Sequence, residues 1–137
     1  MGFAATMGTA AKAWTDAKDA PEAAAASGVP IDLDHLRRYT LGDARLELEI
    51  LRLFIDQAPA TVDALKRART SKDWVRAAHT LKGSARAVGA WRLAKLAEQA
   101  ERLGGPEDRV ACGSILHQLD EAAAEARVHI VALAPPA

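Results

Sequence analysis

Apolar residues recur at three- and four-residue intervals along most of the chain, the period of helices buried on one side. Asp32-Leu33-Asp34-His35-Leu36-Arg37-Arg38-Tyr39 reads as a short helix, acidic in its first turn and basic in its last, as the helix dipole favours. Gly42-Asp43 breaks the pattern, and Asp43 is placed to cap a second helix running to about Arg69. Ile50, Phe54, Ala58, Val62, Leu65 and Ala68 form its buried stripe, and Pro59 inside it predicts a kink. Thr70 or Ser71 caps a third helix that carries Asp73 in its first turn and ends at Gly89 in a left-handed conformation. A fourth, with Leu93, Leu96, Ala100 and Leu103 on one face, stops at Gly104-Gly105. Pro106 in the first helical position, followed by Glu107 and Asp108, opens the last helix. That helix is expected to bury Val110, Leu116, Leu119, Ala123, Ala126 and Ile130, before Pro135-Pro136 closes the chain. No segment reads as a strand and the connections are short, so the fold class is all-α, an antiparallel helix bundle.

Residues 1–30 lack such a stripe. They are Ala-rich, close with Ser27-Gly28-Val29-Pro30, and read as a tail and linker with at most a transient helical turn around Ala10 to Asp19. The folded domain is expected over residues 31–133. A length of 137 residues suits one domain with one core, built from Leu, Ala, Ile and Val because only 4% of the chain is aromatic. A formal net charge of zero argues against a nucleic-acid binder. Cys112 stands alone, which excludes an internal disulfide and agrees with a reducing compartment. No apolar run reaches the roughly 18 residues that span a bilayer, and charges interrupt the N-terminal segment. The expected setting is therefore cytoplasmic, without membrane or nucleic acid among the partners.

The third helix carries the candidate chemistry. On a helical wheel Trp74, Ala78, Leu81, Ala85 and Val88 form one core-facing stripe. Well away from it lie Lys72, Val75, Arg76, His79, Lys82, Gly83 and Arg86, so His79 stands outside the core in a cationic row. Glycine inside a helix costs about 1 kcal/mol relative to alanine. One turn after His79, Gly83 leaves room for another protein to reach the imidazole; close helix–helix packing is the alternative reason for it. Lys82, also one turn on, would disfavour the imidazolium and keep His79 nucleophilic. It would also neutralise about −1.5 to −2 charges on a phosphorylated ring. Arg86 either adds to this or steers an acidic partner. A plain solvated basic face is the alternative for both cations.

Ala78-His79-Thr80-Leu81-Lys82-Gly83-Ser84-Ala85 followed by Gly89-Ala90 resembles the signature of histidine-containing phosphotransfer (HPt) domains. The likeness covers residues 31 to about 130 and includes Gly42-Asp43, Phe54, Asp73-Trp74, Leu93 and Glu98. The resemblance implies a four-helix bundle with a short additional N-terminal helix. It implies phosphorylation of His79 on the distal ring nitrogen, with Lys82 steadying the phosphoryl group and Gly83 giving a receiver domain access. It further implies receiver domains of response regulators and a hybrid histidine kinase as partners, with Mg²⁺ held by the receiver and no cofactor in this chain. Where the family often has a glutamine, this chain has Glu101, a carboxylate that must point away, pair with a cation, or orient the unphosphorylated ring.

Docking needs apolar surface near His79, for which Val75, the first helix, Leu48 and Ile55 are candidates, with Arg76 beside them. They could equally hold the first helix in place. His35, His117 and His129 lack neighbours at ligand spacing, no metal site is expected, and Cys112 reads as core filler. With no glycine-rich phosphate loop, phosphorylation from ATP is not expected, and the chain reads as a phosphoryl carrier acting as a monomer. The rival is a non-catalytic helical adaptor that binds a signalling partner through the basic face around His79.

Overall fold

Four side-chain oxygens set where helices begin in the computed structural model, which describes residues 30–133. Asp32 Oδ1 accepts from the His35 amide, Asp43 Oδ1 from Leu46, Thr70 Oγ1 from Asp73 and Asp108 Oδ1 from Ala111, at 3.2, 3.1, 3.1 and 3.0 Å. Each satisfies an amide that has no partner within its own helix. The helices are α1 (Leu33–Thr40), α2 (Ala44–Arg67), α3 (Ser71–Val88), α4 (Trp91–Leu103) and α5 (Arg109–Leu133). Among the described residues there is no strand. The expected tail up to Val29 and the closing prolines lie outside the described residues.

The architecture is a four-helix bundle, α2 to α5, with α1 laid across α2 and α3. Helix α3 packs most extensively, on α4 and on α2, and α5 closes the bundle against both of those. Its core-facing stripe is buried as the wheel requires: Trp74, Ala78, Leu81, Ala85 and Val88 all lie in the interior. Trp74 Nε1 donates to the Ala100 carbonyl at 2.6 Å, so the largest core side chain also satisfies its polar atom and ties α3 to α4.

Several boundaries differ from the sequence expectation. Helix α2 stops at Arg67, because Ala68 and Thr70 adopt the extended backbone that lets Thr70 cap α3. Pro59 lies inside it, as expected. Pro106 is not the first residue of α5: with Asp108 as the capping side chain the helix begins at Arg109. Val110, expected in the core, is 85% exposed, since α5 buries Cys112, Ile115, Leu119, Ala122, Ala126 and Ile130, a stripe on the opposite side of the helix. Ala123 and Leu116 are only partly buried against that core. Leu103, the final residue of α4, is exposed rather than part of its apolar face.

Helix α1 is held by a clamp around Asp32. The Asp32 amide donates to the Gly89 carbonyl at 2.9 Å, and its Oδ2 accepts from Trp91 Nε1 at 3.0 Å. His35 sets its ring edge-on to Trp91, with centroids 4.5 Å apart. On the other side of α1, the buried Glu47 carboxylate accepts from Thr40 Oγ1 and Arg37 Nε at 3.2 and 3.3 Å. Gly89 closes α3 in the left-handed region, at φ +77°, and a Cβ there would meet the Asp32 carbonyl oxygen at 2.6 Å. Only glycine fits that position.

Gly89→Ala should therefore destabilise the fold by about 2–3 kcal/mol, the sum of a left-handed alanine and a backbone clash. Urea unfolding checks this, and an unchanged midpoint would contradict the clamp. Burial pushes the His35 imidazole from 6.5 down to about 4, Asp32 offsetting part of this and Arg38 adding to it. The unfolded chain then takes up a proton that the folded ring refuses, so stability should fall as pH drops from about 6.5 towards 4. His35→Gln should flatten that part of the pH–stability curve; an identical slope in both proteins would count against a half-buried neutral ring.

Candidate functional site

The second stripe of α3 emerges on the α4 side of the bundle. His79 stands clear of the interior, its side chain 67% exposed. Its Nδ1 lies 2.8 Å from Glu101 Oε2 on α4. The other oxygen of that carboxylate, Oε1, accepts from Lys82 Nζ at 2.6 Å. One carboxylate thus bridges the imidazole and the ammonium, joining two residues one turn apart on α3 to the facing helix. Partial burial acts to raise the Glu101 carboxyl, but hydrogen bonds from Lys82 and His79 and the Lys82 charge outweigh it. Glu101 is held below the usual carboxylate range and is ionised at neutral pH.

That charge state decides the ring's proton. An ionised carboxylate only accepts, so Nδ1 carries the hydrogen and Nε2 of the neutral ring carries the lone pair. Among the described residues, Nε2 makes no hydrogen bond. The arrangement offers a nucleophilic nitrogen towards solvent with its tautomer set from behind.

Gly83 follows on the same stripe. A Cβ added there would meet nothing within 4 Å, so close packing against another helix is not the reason for this glycine. Lys82 does not belong to a freely solvated face: its side chain is only 15% exposed and is engaged by Glu101. Arg86 is likewise drawn in, with Nη2 3.4 Å from Glu98 Oε2, while Glu98 Oε1 accepts from Arg102 at 2.9 Å. Lys82 and Arg86 of the cationic row are therefore each matched by a carboxylate of α4. Sequence reading singled out Glu101 but gave no site role to Glu98, which lies three residues earlier on the same face and opposes Arg86. Arg76 remains exposed, and Val75 is partly buried against the core.

Of the two apolar candidates on α2, neither is fully exposed: Leu48 and Ile55 are only partly accessible, and Ile55 packs against the core. The exposed leucines of α2 are Leu46 and Leu53. Their seven-residue spacing continues to Ala60, which lines a groove of about 600 Å³ between α2 and α3 with Ala64, Ala77, Arg76 and Thr80. Thr80 and Arg76 bring that groove beside the His79 turn. A larger cavity, about 760 Å³, is lined by Trp74, Pro106 and Cys112 among others, and none of His79, Lys82, Gly83 or Glu101 borders it.

The other candidates have structural surroundings. His117 Nε2 lies 2.6 Å from Glu121 on its own helix, and His129 is partly buried. The Cys112 thiol is buried, donates to the Gly105 carbonyl at 3.4 Å and is pushed up by that burial. Among the described residues no group of three or more His, Cys, Asp or Glu side chains could hold a metal ion, and no helix is long and apolar enough to cross a membrane.

Comparison with curated proteins and with solved structures gives no match. The family model for the Hpt domain does match, over residues 49–129, a span that takes in α3, α4 and most of α2 and α5. Hpt domains serve histidine phosphotransfer in phosphorelays and generally interact with receiver domains. With a matched span of more than half its length and a bundle of the expected architecture, this chain belongs to the Hpt domain family.

Proposed function

We propose that this protein carries a phosphoryl group on His79 Nε2 and relays it between aspartates of receiver domains. The observation that supports the reading most strongly is the exposed imidazole whose Nδ1 is engaged by Glu101 while Nε2 faces away from that bond. A receiver's aspartyl phosphate would approach Nε2 in line. Catalysis then consists of positioning and charge neutralisation, with the acidic pocket and its Mg²⁺ supplied by the receiver. Lys82 is the cation closest at hand for the incoming group, and Gly83 leaves the space through which the partner reaches the ring. Exposed Leu46 and Leu53 and the small-residue groove between α2 and α3 suit an apolar partner surface, with Arg76 at its margin. A transient interface at the small end of the usual range, made by a monomeric cytoplasmic carrier charged through a hybrid histidine kinase, fits this chemistry.

The decisive experiment incubates the protein with a panel of phosphorylated receiver domains and follows acid-labile, alkali-stable label. Label should appear on the wild-type chain and be absent from His79→Gln. Label that persists in that variant would move the carrier site away from His79, and label that never forms with any receiver or kinase would favour a binding-only adaptor. Gly83→Gln should keep the fold, since a Cβ there meets nothing within 4 Å and glutamine is the better helix former, yet slow transfer by about tenfold or more, equivalent to about 1.4 kcal/mol in the barrier. Wild-type transfer rates in that variant would remove the access role of Gly83.

A further inference from the structure

Glu101 is a carboxylate within 2.8 Å of the imidazole nitrogen opposite the one assigned to phosphorus. A neutral amide at this place would offer the same acceptor geometry without the charge. The difference matters after transfer. When the Nε2 lone pair forms the N–P bond and the aspartyl O–P bond breaks, the bonding electrons leave with the aspartate. The ring keeps its Nδ1 hydrogen and becomes a positively charged phosphoimidazolium. Resting on the carrier reading above, we infer that Glu101 holds this proton on Nδ1 throughout the relay, so that the phosphorylated ring persists as a phosphoimidazolium poised to give the group up.

The charge balance around the ring supports this. On α3 the ionisable neighbours are Arg76, Lys82 and Arg86; on α4 they are Glu98, Glu101 and Arg102. Glu98 is occupied by Arg86 and Arg102, and among the described residues no α2 group pairs with the ring. Glu101 is therefore the anion in direct contact with the imidazole. Lys82 holds its other oxygen at 2.6 Å in the resting state. A phosphoryl group, with about −1.5 to −2 charges by analogy with phosphoserine, competes for that ammonium. As Lys82 turns to the phosphoryl group, the carboxylate loses its partner just when the ring beside it becomes positive, and the Nδ1–H···O bond becomes charge-assisted on both sides. In the onward step an acceptor carboxylate forms the O–P bond, the N–P electrons return to Nε2, and the neutral Nδ1–H ring is restored. No proton moves in either direction, and the leaving group is a neutral imidazole.

The test uses the full chain with ¹⁵N-labelled histidine, charged with potassium phosphoramidate, as wild type and as Glu101→Gln. At mildly alkaline pH the phosphorylated wild-type ring should show a proton-bearing Nδ1, whereas the variant should show a bare, pyridine-type Nδ1. The variant should also lose its phosphoryl group to water about tenfold more slowly, because the charge-assisted bond is gone. A bare Nδ1 in the phosphorylated wild type, or the same protonation state and loss rate in both proteins, overturns the inference while leaving the carrier reading intact. Failure of the wild-type chain to take label at His79 brings down both, and failure of the variant alone overturns the inference only, since it gives Glu101 a role in acquiring the group.

Discussion

A carboxylate that is mostly withdrawn from water needs hydrogen bonds and opposite charge, or it costs more than it contributes. Glu101 meets that requirement by taking Lys82 on one oxygen and His79 on the other. The same two contacts stitch α3 to α4 at the level of the exposed imidazole and restrain the ring in one orientation. The site's geometry, its tautomer and the resting position of its cation all follow from where this single carboxylate must find partners.

The platform behind it is rigid for ordinary reasons of packing. Helix α3 devotes one stripe to the core, and its tryptophan both fills volume and donates to the Ala100 carbonyl, one residue before Glu101. The core anchor and the site bridge thus converge on adjacent residues of α4. A functional side chain carried by a helix locked in this way is placed more reproducibly than one carried by a loop. Helix α1 is fixed independently, through Asp32, Gly89 and Trp91, at the C-terminal end of α3 and the start of α4.

Much of this was legible in the residues. The 3.6-residue period separated the buried stripe of α3 from the stripe bearing His79, and both lie where the wheel puts them. Asp43, Thr70 and Gly89 announced helix ends because each has a specific local job. The misplacements have equally local causes. Pro106 suits a first helical turn, but Asp108 offers a carboxylate cap two residues later, and the helix starts there. Val110 is apolar yet falls opposite the stripe that α5 buries. The wheel of one helix also says nothing of its neighbour's side chains: Glu98 facing Arg86, and the bridge from Glu101 to Lys82, depend on the register between α3 and α4. That Leu46 and Leu53 are more exposed than Leu48 and Ile55 depends on the same thing, the placing of the partner helices.

The orientation of the resting imidazole is the claim on which the functional account stands, and nitrogen NMR of the unphosphorylated protein at mildly alkaline pH measures it directly. The account predicts that His79 carries its hydrogen on Nδ1 and shows a pyridine-type Nε2. A ring with the hydrogen on Nε2 would point its lone pair at Glu101 instead of at an incoming phosphoryl group, and would contradict it.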